Sequence, residues 1–336
     1  MSGSGIGLSG LCFHDDRLRA VISFSGLTMS IAYLVTHSGG FHADELLSSV
    51  ILTRLYPQAR IVRSRDAEWI TPAPDRVIYD VGRDHDPARL IFDHHQKNPP
   101  LRDDGQPYSS FGLIWRQFGM DYLRASGLPE DDLAPVHASF DADFVLPVDL
   151  VDNGALSPSG PLGDLSLPVL LESLKPVFDQ RGDEAENRAF DGALTIARAF
   201  VEAAIARKAA KLRAEAVVMQ AIAAAGDSPI LELPMGMPFR SAIDKAGADH
   251  MLFVVHPRET DWMLAGIRRD PEGFALRADL PASWAGLTDA ALEAASGVPG
   301  AKFCHNARFI AVAADRSAAL ELARLAVAEA DAQAEA

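Results

Sequence analysis

The chain has 336 residues, 48% of them hydrophobic and 23% charged, enough for a sizeable core and about two domains and unlike the composition of a disordered chain. A formal net charge of −15, from 31 basic and 46 acidic residues, excludes a protein that coats duplex DNA through a broad basic face. No apolar run is long enough for a bilayer span, and two cysteines, Cys12 and Cys304, give neither a disulfide framework nor a thiolate zinc motif, which fits a reducing cytoplasm.

Residues 1–28 are rich in Gly and Ser and lack the basic start and long apolar run of a secretory signal. They read as a dispensable leader, or as a start placed too early. From there strands and helices alternate. Residues 31–35 are a short apolar run, read as a buried strand. Residues 43–55 place Leu46, Leu47, Val50, Ile51 and Leu55 at helical spacing. Residues 59–62, 76–79 and 90–92 read as further strands, and 109–126 as a helix with Phe111, Ile114, Trp115, Phe118 and Leu123 on its apolar side. This rhythm predicts an α/β fold with a parallel sheet over about 29–155.

Residues 131–152 look helical, with a break expected from Pro135 and Pro147. Residues 185–225 are Ala-rich with almost no breakers and predict one or two long helices, so that 156–225 forms a helical linker. After Gly226 short strands are expected at 229–233, 251–255, 262–267, 302–305 and 308–312, with a closing amphipathic helix at 317–328. The second domain, 226–330, is therefore a smaller α+β unit.

Five of the ten histidines fall between positions 37 and 95, and their companions sit at strand ends. His37 follows the first strand. Gly39-Gly40 makes a turn, and His42, Asp44 and Glu45 open the next helix. Asp80 ends a strand before Gly82, and Asp93-His94-His95 ends another. Carboxyl ends of parallel strands form the ligand crevice of an open α/β sheet, so three strands deliver imidazoles and carboxylates to one edge. His37, His42, Asp44, Asp80, His94 and a later Asp are too many donors for one tetrahedral zinc and suit two divalent ions, with Asp80 the natural bridge. Two such ions acidify a shared water enough to supply hydroxide near neutral pH, for in-line attack on phosphorus.

Four ordered motifs carry a resemblance. Thr36-His37-Ser38-Gly39-Gly40-Phe41-His42-Ala43-Asp44-Glu45, Asp80-Val81-Gly82, Phe92-Asp93-His94-His95-Gln96 and Val148-Asp149-Leu150-Val151-Asp152-Asn153-Gly154 resemble the melanocyte-proliferating-gene (Myg-type) exonuclease family, a branch of the DHH phosphoesterase superfamily. A C-terminal block is similar too, at residues 280–287 and 296–305, so the likeness covers roughly 31–325. The resemblance implies a DHH-type catalytic domain and a two-metal, manganese-preferring phosphodiesterase, acting as a 3′–5′ exonuclease on RNA or short oligonucleotides. It implies His37, His42, Asp44, Asp80, His94 and one of Asp149 or Asp152 as ligands. Asp93 would orient a histidine ligand from behind, and His95 would face the substrate phosphate. Asp152 is favoured over Asp149 because it ends its helix at a turn. Where the family carries a glycine pair after the equivalent of Arg308-Phe309-Ile310, this chain has Ala311-Val312-Ala313-Ala314, a departure in a loop implied to touch substrate.

Substrate contacts beyond the metals are expected from Arg268, Lys302, His305 and Arg308, with Trp284 or Phe303 as stacking surfaces if exposed; its strand context places Phe303 in the core. Lys97 and Arg102 are read as a phosphate clamp or as solvated loop residues, and His85 as a solvated loop residue. His137, His250 and His256 are structural or exposed in this reading. Two rival functions keep the same residues: hydrolysis of a small phosphoanhydride or dinucleotide, and a non-catalytic metal-binding module.

Overall fold

The computed structural model describes residues 30–160, 162–270 and 273–335; the leader reading for 1–28 lies outside them. The chain divides into two compact units, Met1–Ile205 and Ala206–Ala336.

The elements of the first unit follow in order. They are β1 (Tyr33–Thr36), α1 (Ala43–Leu55), β2 (Arg60–Arg63), α2 (Ala67–Ile70), β3 (Arg76–Tyr79), β4 (His85–Asp86) and β5 (Ile91–Phe92). Then come α3 (Ser110–Ala125), α4 (Glu130–Phe140), α5 (Leu146–Asp152), α6 (Leu167–Glu172) and α7 (Asp183–Ala225), whose residues from Ala206 onward belong to the second unit. The α/β reading holds: β2, β1, β3 and β5 form a parallel sheet in that order, and β4 adds an antiparallel edge. Leu34, Val35, Val77 and Ile78 are fully buried, as expected of parallel strands covered on both faces. On one face Val35, Ile78, Val81 and Ile91 pack with Trp69 and Ile70 of α2. On the other, α1 and α3 pack together.

The strand order matters for the site. The chain leaves β1 through α1 to reach β2 on one side, then returns to place β3 on the other side of β1. Connections thus diverge between β1 and β3, and the carboxyl ends of these strands flank the crevice that such a switch leaves.

The proline break is only half right. α4 runs through Pro135, and the irregularity comes later, as one π-helical turn at Asp141–Val145. There the Leu146 N–H reaches back to the Asp141 carbonyl, and Pro147, which has no N–H to donate, falls in the first turn of α5. The Ala-rich segment is one helix of 43 residues.

The second unit contains β6 (Ile230–Glu232), α8 (Arg240–Lys245), β7 (Phe253–Pro257), β8 (Trp262–Gly266), α9 (Asp289–Ser296), β9 (Ala301–Cys304), β10 (Ile310–Ala313) and α10 (Arg316–Glu335). Its sheet runs β6-β7-β8-β10-β9, with only the β6–β7 pair parallel. One core layer unites Phe253, Val255 and Leu264 with Ala319, Leu322 and Ala323 of α10. Another unites Leu231, Val254 and Ile267 with Val218 of α7 and Ile243 of α8.

In the first unit, Phe118 of α3 sits against Phe92 at 5.4 Å and Tyr56 at 6.3 Å between ring centroids, so it ties the helix layer to the strand end that carries the site. Phe118→Ala is expected to cost about 3–5 kcal/mol in a denaturant titration; a loss below about 1 kcal/mol would show that this contact does not hold the layers together.

Candidate metal centre

His37 follows β1, Asp80 follows β3, and Asp93, His94 and His95 follow β5. The first turn of α1 brings Asp44 and Glu45, and the end of α5 brings Asp152. Asp80 adopts φ 54°, the left-handed region that a side chain enters at a cost and that short polar residues tolerate best. Gly82 is required at φ +102°, since a Cβ there would lie 2.9 Å from Ile91 Cδ1. This turn swings the Asp80 carboxylate into the cluster.

Asp80 is the hub. One oxygen lies 3.2 Å from His37 Nε2; the other lies 3.4 Å from His94 Nε2 and 3.5 Å from His95 Nδ1. His37 Nε2 is also 3.1 Å from Glu45, and His94 Nε2 3.3 Å from Asp152. Metal-ligating atoms gather into three overlapping groups within 4.8 Å. They are His37, His42, Glu45 and Asp80; Asp44, His94 and Asp152; and Asp80, Asp93, His94 and His95. Six of the predicted ligands therefore meet, with Glu45 beside them. Glu45 is not among the predicted ligands; its carboxylate also accepts the His42 backbone N–H at 2.8 and 2.9 Å. Its place directly after Asp44 is the signal that was available.

Two imidazoles have their tautomer set from behind. His37 Nδ1–H faces the Ser38 carbonyl at 3.1 Å, and His94 Nδ1–H faces the Asn153 side-chain oxygen at 3.2 Å. Each arrangement leaves Nε2 with a lone pair aimed into the cluster. Despite its neighbours, His94 Nε2 makes no hydrogen bond, and neither oxygen of the buried Asp44 carboxylate has a partner. A buried ionised carboxylate without a partner is strongly disfavoured unless a cation reaches it.

The charges agree. Burial, then the nearby carboxylates of Asp152, Asp80 and Glu45, push the Asp44 carboxyl well above its ordinary range. Burial likewise pushes Asp152 to about 6, against the pull of His94. Burial opposes charge on His37, but hydrogen bonds to Asp80 and Glu45 outweigh it and raise the imidazole to about 10. His94 rises to about 9 against its burial, through Asp80 and Asp152. Burial raises Asp80, yet His37 and His94 bring it far below the usual carboxylate range. Among the described residues, no lysine or arginine pairs with Asp44, Glu45, Asp80 or Asp152. Without metal, protons must neutralise this cluster. Its oxygen and imidazole donors fit divalent ions of the manganese, magnesium or zinc kind.

Asp93, although within reach of this cluster, is already engaged by protein donors. Its Oδ1 accepts from the backbone of His94 at 2.7 Å, the backbone of His95 at 3.1 Å and His95 Nδ1 at 2.8 Å, and its Oδ2 accepts from the Arg83 backbone at 2.6 Å. It positions His95, whose side chain is 56% exposed and whose imidazole is raised, first of all by this hydrogen bond.

Asp149 stands apart from the cluster. Ser109 Oγ at 2.7 Å, the Gly112 N–H at 3.1 Å and Arg102 at 2.6 Å occupy its carboxylate, and Arg102 also holds Asp141 at 2.6 Å. Gly112 has to be glycine, since a Cβ would lie 2.2 Å from Asp149 Oδ2. Arg102 is thus neither a phosphate clamp nor a solvated loop residue; its guanidinium is spent on this structural pair.

Two cavities adjoin the cluster. One of ≈ 180 Å³ is bounded by His42, Asp80, His95 and Asp152, with Val148 and Val151 as its apolar side. The other, ≈ 380 Å³, is bounded by His37, His42, Asp80 and His95, and by Arg65 and Arg83. Neither arginine carries a salt bridge among the described residues, and no residue type or spacing in the sequence pointed to them.

The candidates for substrate contact beyond the cluster lie mostly in the second unit. Arg308 donates to Asp279 at 2.7 Å, and His305 Nδ1 accepts the Ala307 N–H at 3.0 Å beside Phe309. Lys302 is half-buried on β9, and Arg268 lies over the Phe274 ring at 4.9 Å. Phe303 is not core: it is 36% exposed, whereas Trp284 is buried and offers no stacking face. β9 is an edge strand, and Phe303 points off it while Ala301 and Cys304 pack inward. Lys97 lies exposed beyond the motif. His85 belongs to the edge strand β4, half-buried, not to a solvated loop. His137 stacks on Trp115.

A family model, MYG1_exonuc (uncharacterised protein family UPF0160), matches residues 33–327. A MYG1 protein of Schizosaccharomyces pombe is 31% identical over 324 residues, covering 89% of this chain and 98% of that protein. The MYG1 exonuclease of Homo sapiens is 30% identical, covering 88% and 85%. A solved structure of the exonuclease RecJ bound to manganese aligns over 89% of this chain and 90% of that one, at 16% identity and a TM-score of 0.25.

The two aspartates of α5 make opposite predictions. Asp152→Ala should lower bound manganese by elemental analysis with little change in stability. Asp149→Ala should retain the metal yet lose about 3 kcal/mol in denaturant, because Arg102 is left buried with one partner fewer. The reverse pattern would make Asp149 the ligand.

Proposed function

The chain belongs to the MYG1_exonuc family and is a metal-dependent hydrolase of phosphoester bonds, and from that premise we propose that it removes nucleotides from the 3′ end of RNA or short oligonucleotides with two manganese ions. The observation that carries the metal reading is the bare donor set: a buried Asp44 carboxylate without a partner, facing His94 Nε2, also without a hydrogen bond.

His37, His42, Glu45 and Asp80 would hold one ion, and Asp44, His94 and Asp152 the other, with Asp80 shared between them. When bound, such ions polarise a phosphoryl oxygen and lower the pKa of water toward neutrality. The protein's own part is positioning. Ser38 and Asn153 fix the His37 and His94 tautomers, so the lone pairs are oriented before any ion arrives. Asp93 keeps His95 protonated on Nδ1 and turned to the cavity, where its other N–H can donate to a phosphate oxygen or pass a proton to the leaving oxygen. Arg65 and Arg83, free of carboxylates, would take the neighbouring phosphate. In the second unit Arg268, Lys302 and His305 are proposed contacts to nucleic acid; Arg308, tied to Asp279, is proposed to brace the turn. A cytoplasmic location is proposed from the two cysteines, which give no disulfide framework; among the described residues no helix is long and apolar enough to cross a membrane.

Manganese-loaded protein should shorten RNA labelled at its 5′ end stepwise, releasing unlabelled mononucleotides while the label stays on the shrinking chain. His94→Ala should abolish manganese-dependent turnover, and His95→Ala should lower kcat by about 100-fold or more with metal content intact. Immediate release of the label as a mononucleotide would reverse the polarity. Cleavage confined to phosphoanhydrides would replace the nuclease reading with the small-molecule one.

A further inference from the structure

A cavity of ≈ 500 Å³ lies within the second unit, bordered by residues of α7, by the segment leading into α8 and by the end of β8. Three cations converge on it: Lys211, Arg240 and Arg268. Met237, Phe239 and Ile267 form its apolar wall, and Ser241 adds a hydroxyl. We propose that this cavity binds a phosphorylated nucleoside, with Lys211, Arg240 and Arg268 around the phosphate and Phe239, Met237 and Ile267 against the base or sugar.

Several cations of this unit are matched by carboxylates: Lys245 by Glu215 at 2.7 Å, Arg277 by Asp249 at 3.3 Å, Arg308 by Asp279 at 2.7 Å, and Arg316 by Glu232 at 2.6 Å, whereas Arg207, Arg213, Arg269 and Lys302 are scattered cations without a salt bridge among the described residues. Among the described residues, Lys211, Arg240 and Arg268 have no salt bridge, in a chain whose formal charge is −15 and which has carboxylates to spare. Two acids also border the cavity, and the charge of Asp244 offsets part of the repulsion on Arg240 without forming a salt bridge to it. Asp244 lies 3.9 Å from Arg277, and Asp270 accepts the backbone N–H of Gly273. Arg240 and Arg268 are close enough to repel: burial and then the charge of Arg268 hold the Arg240 guanidinium below its ordinary value.

Uncompensated like charges facing one cavity work against the fold, and an anion between them reverses that cost. Arg268 lies over the exposed Phe274 ring, 4.9 Å from its centroid. The apolar wall separates a nucleotide from a bare inorganic anion. The half-buried Phe239 ring and Met237 side chain, backed by the buried Ile267, offer surface that a free phosphate does not use and a base or ribose does. The nucleotide can arrive free or as the end of an oligonucleotide; the chemistry is the same.

Met237 gives a local reporter, one of eight methionines in the chain. Full-length, manganese-loaded protein labelled at its methionine methyl groups would be titrated with AMP, adenosine, inorganic phosphate and a phosphorothioate-linked adenylate hexamer. AMP should move the Met237 signal saturably, and more tightly than adenosine or phosphate alone. Arg240→Ala and Arg268→Ala should each weaken AMP by at least about 10-fold. Lys245→Ala, whose ammonium belongs to Glu215, should leave the affinity unchanged. Both arginine variants should melt at or above the parent temperature, since each relieves repulsion and breaks no ion pair. Tighter binding of the hexamer would make the occupant the end of a nucleic acid, and tighter binding of AMP a free nucleotide. No response of Met237, equal affinity for phosphate and AMP, or a lowered melting temperature without weakened binding would each overturn the proposal. Because Met237 reports binding and not hydrolysis, a protein without nuclease activity would still give a clear answer.

Discussion

Four carboxylates, Asp44, Glu45, Asp80 and Asp152, are packed at one crevice with imidazoles for neighbours and, among the described residues, no salt bridge to a lysine or arginine. In a buried site that arrangement holds only if cations or protons are supplied from outside. Much of the first unit can be understood as serving it. The divergence of connections on either side of β1 opens the crevice. The left-handed turn at Asp80 aims the central carboxylate, and the first turn of α1 supplies two more.

A second layer keeps the donors in place without joining them. Asp93 gathers three backbone N–H groups and the His95 ring. Asn153 bridges outward from His94 to the Tyr108 and Asp149 carbonyls. Below, the Arg102–Asp149 pair locks α5 to α3 through Ser109 and Gly112. The two aspartates of α5 thus divide their work: Asp152 reaches the cluster, while Asp149 holds the helix that presents it.

The sheet and the histidine positions were legible because strand ends in a parallel sheet have few places to go, and because His and Asp at several such ends in order are hard to explain otherwise. Four residue pairs show where legibility stopped. Asp149 and Asp152 differ by three positions on one helix, and partners distant in sequence, Arg102, Ser109 and Gly112, separate them. Glu45 looked like an ordinary acid at a helix start, and its second contact, with His37, is tertiary. Pro135 predicts a break, but a single missing donor is tolerated in α4, and the widened turn forms before Pro147 instead. Arg65 and Arg83 stand on separate segments and meet only at a cavity wall, which no local pattern records.

The central claim is that the cluster is built for two ions with Asp80 between them. Anomalous diffraction from manganese-loaded crystals, collected at the manganese edge, tests it directly. Two peaks are expected, one ligated by His37 and Glu45 and the other by Asp44, His94 and Asp152, with Asp80 touching both. A single peak, or a peak ligated by Asp149, would contradict the account.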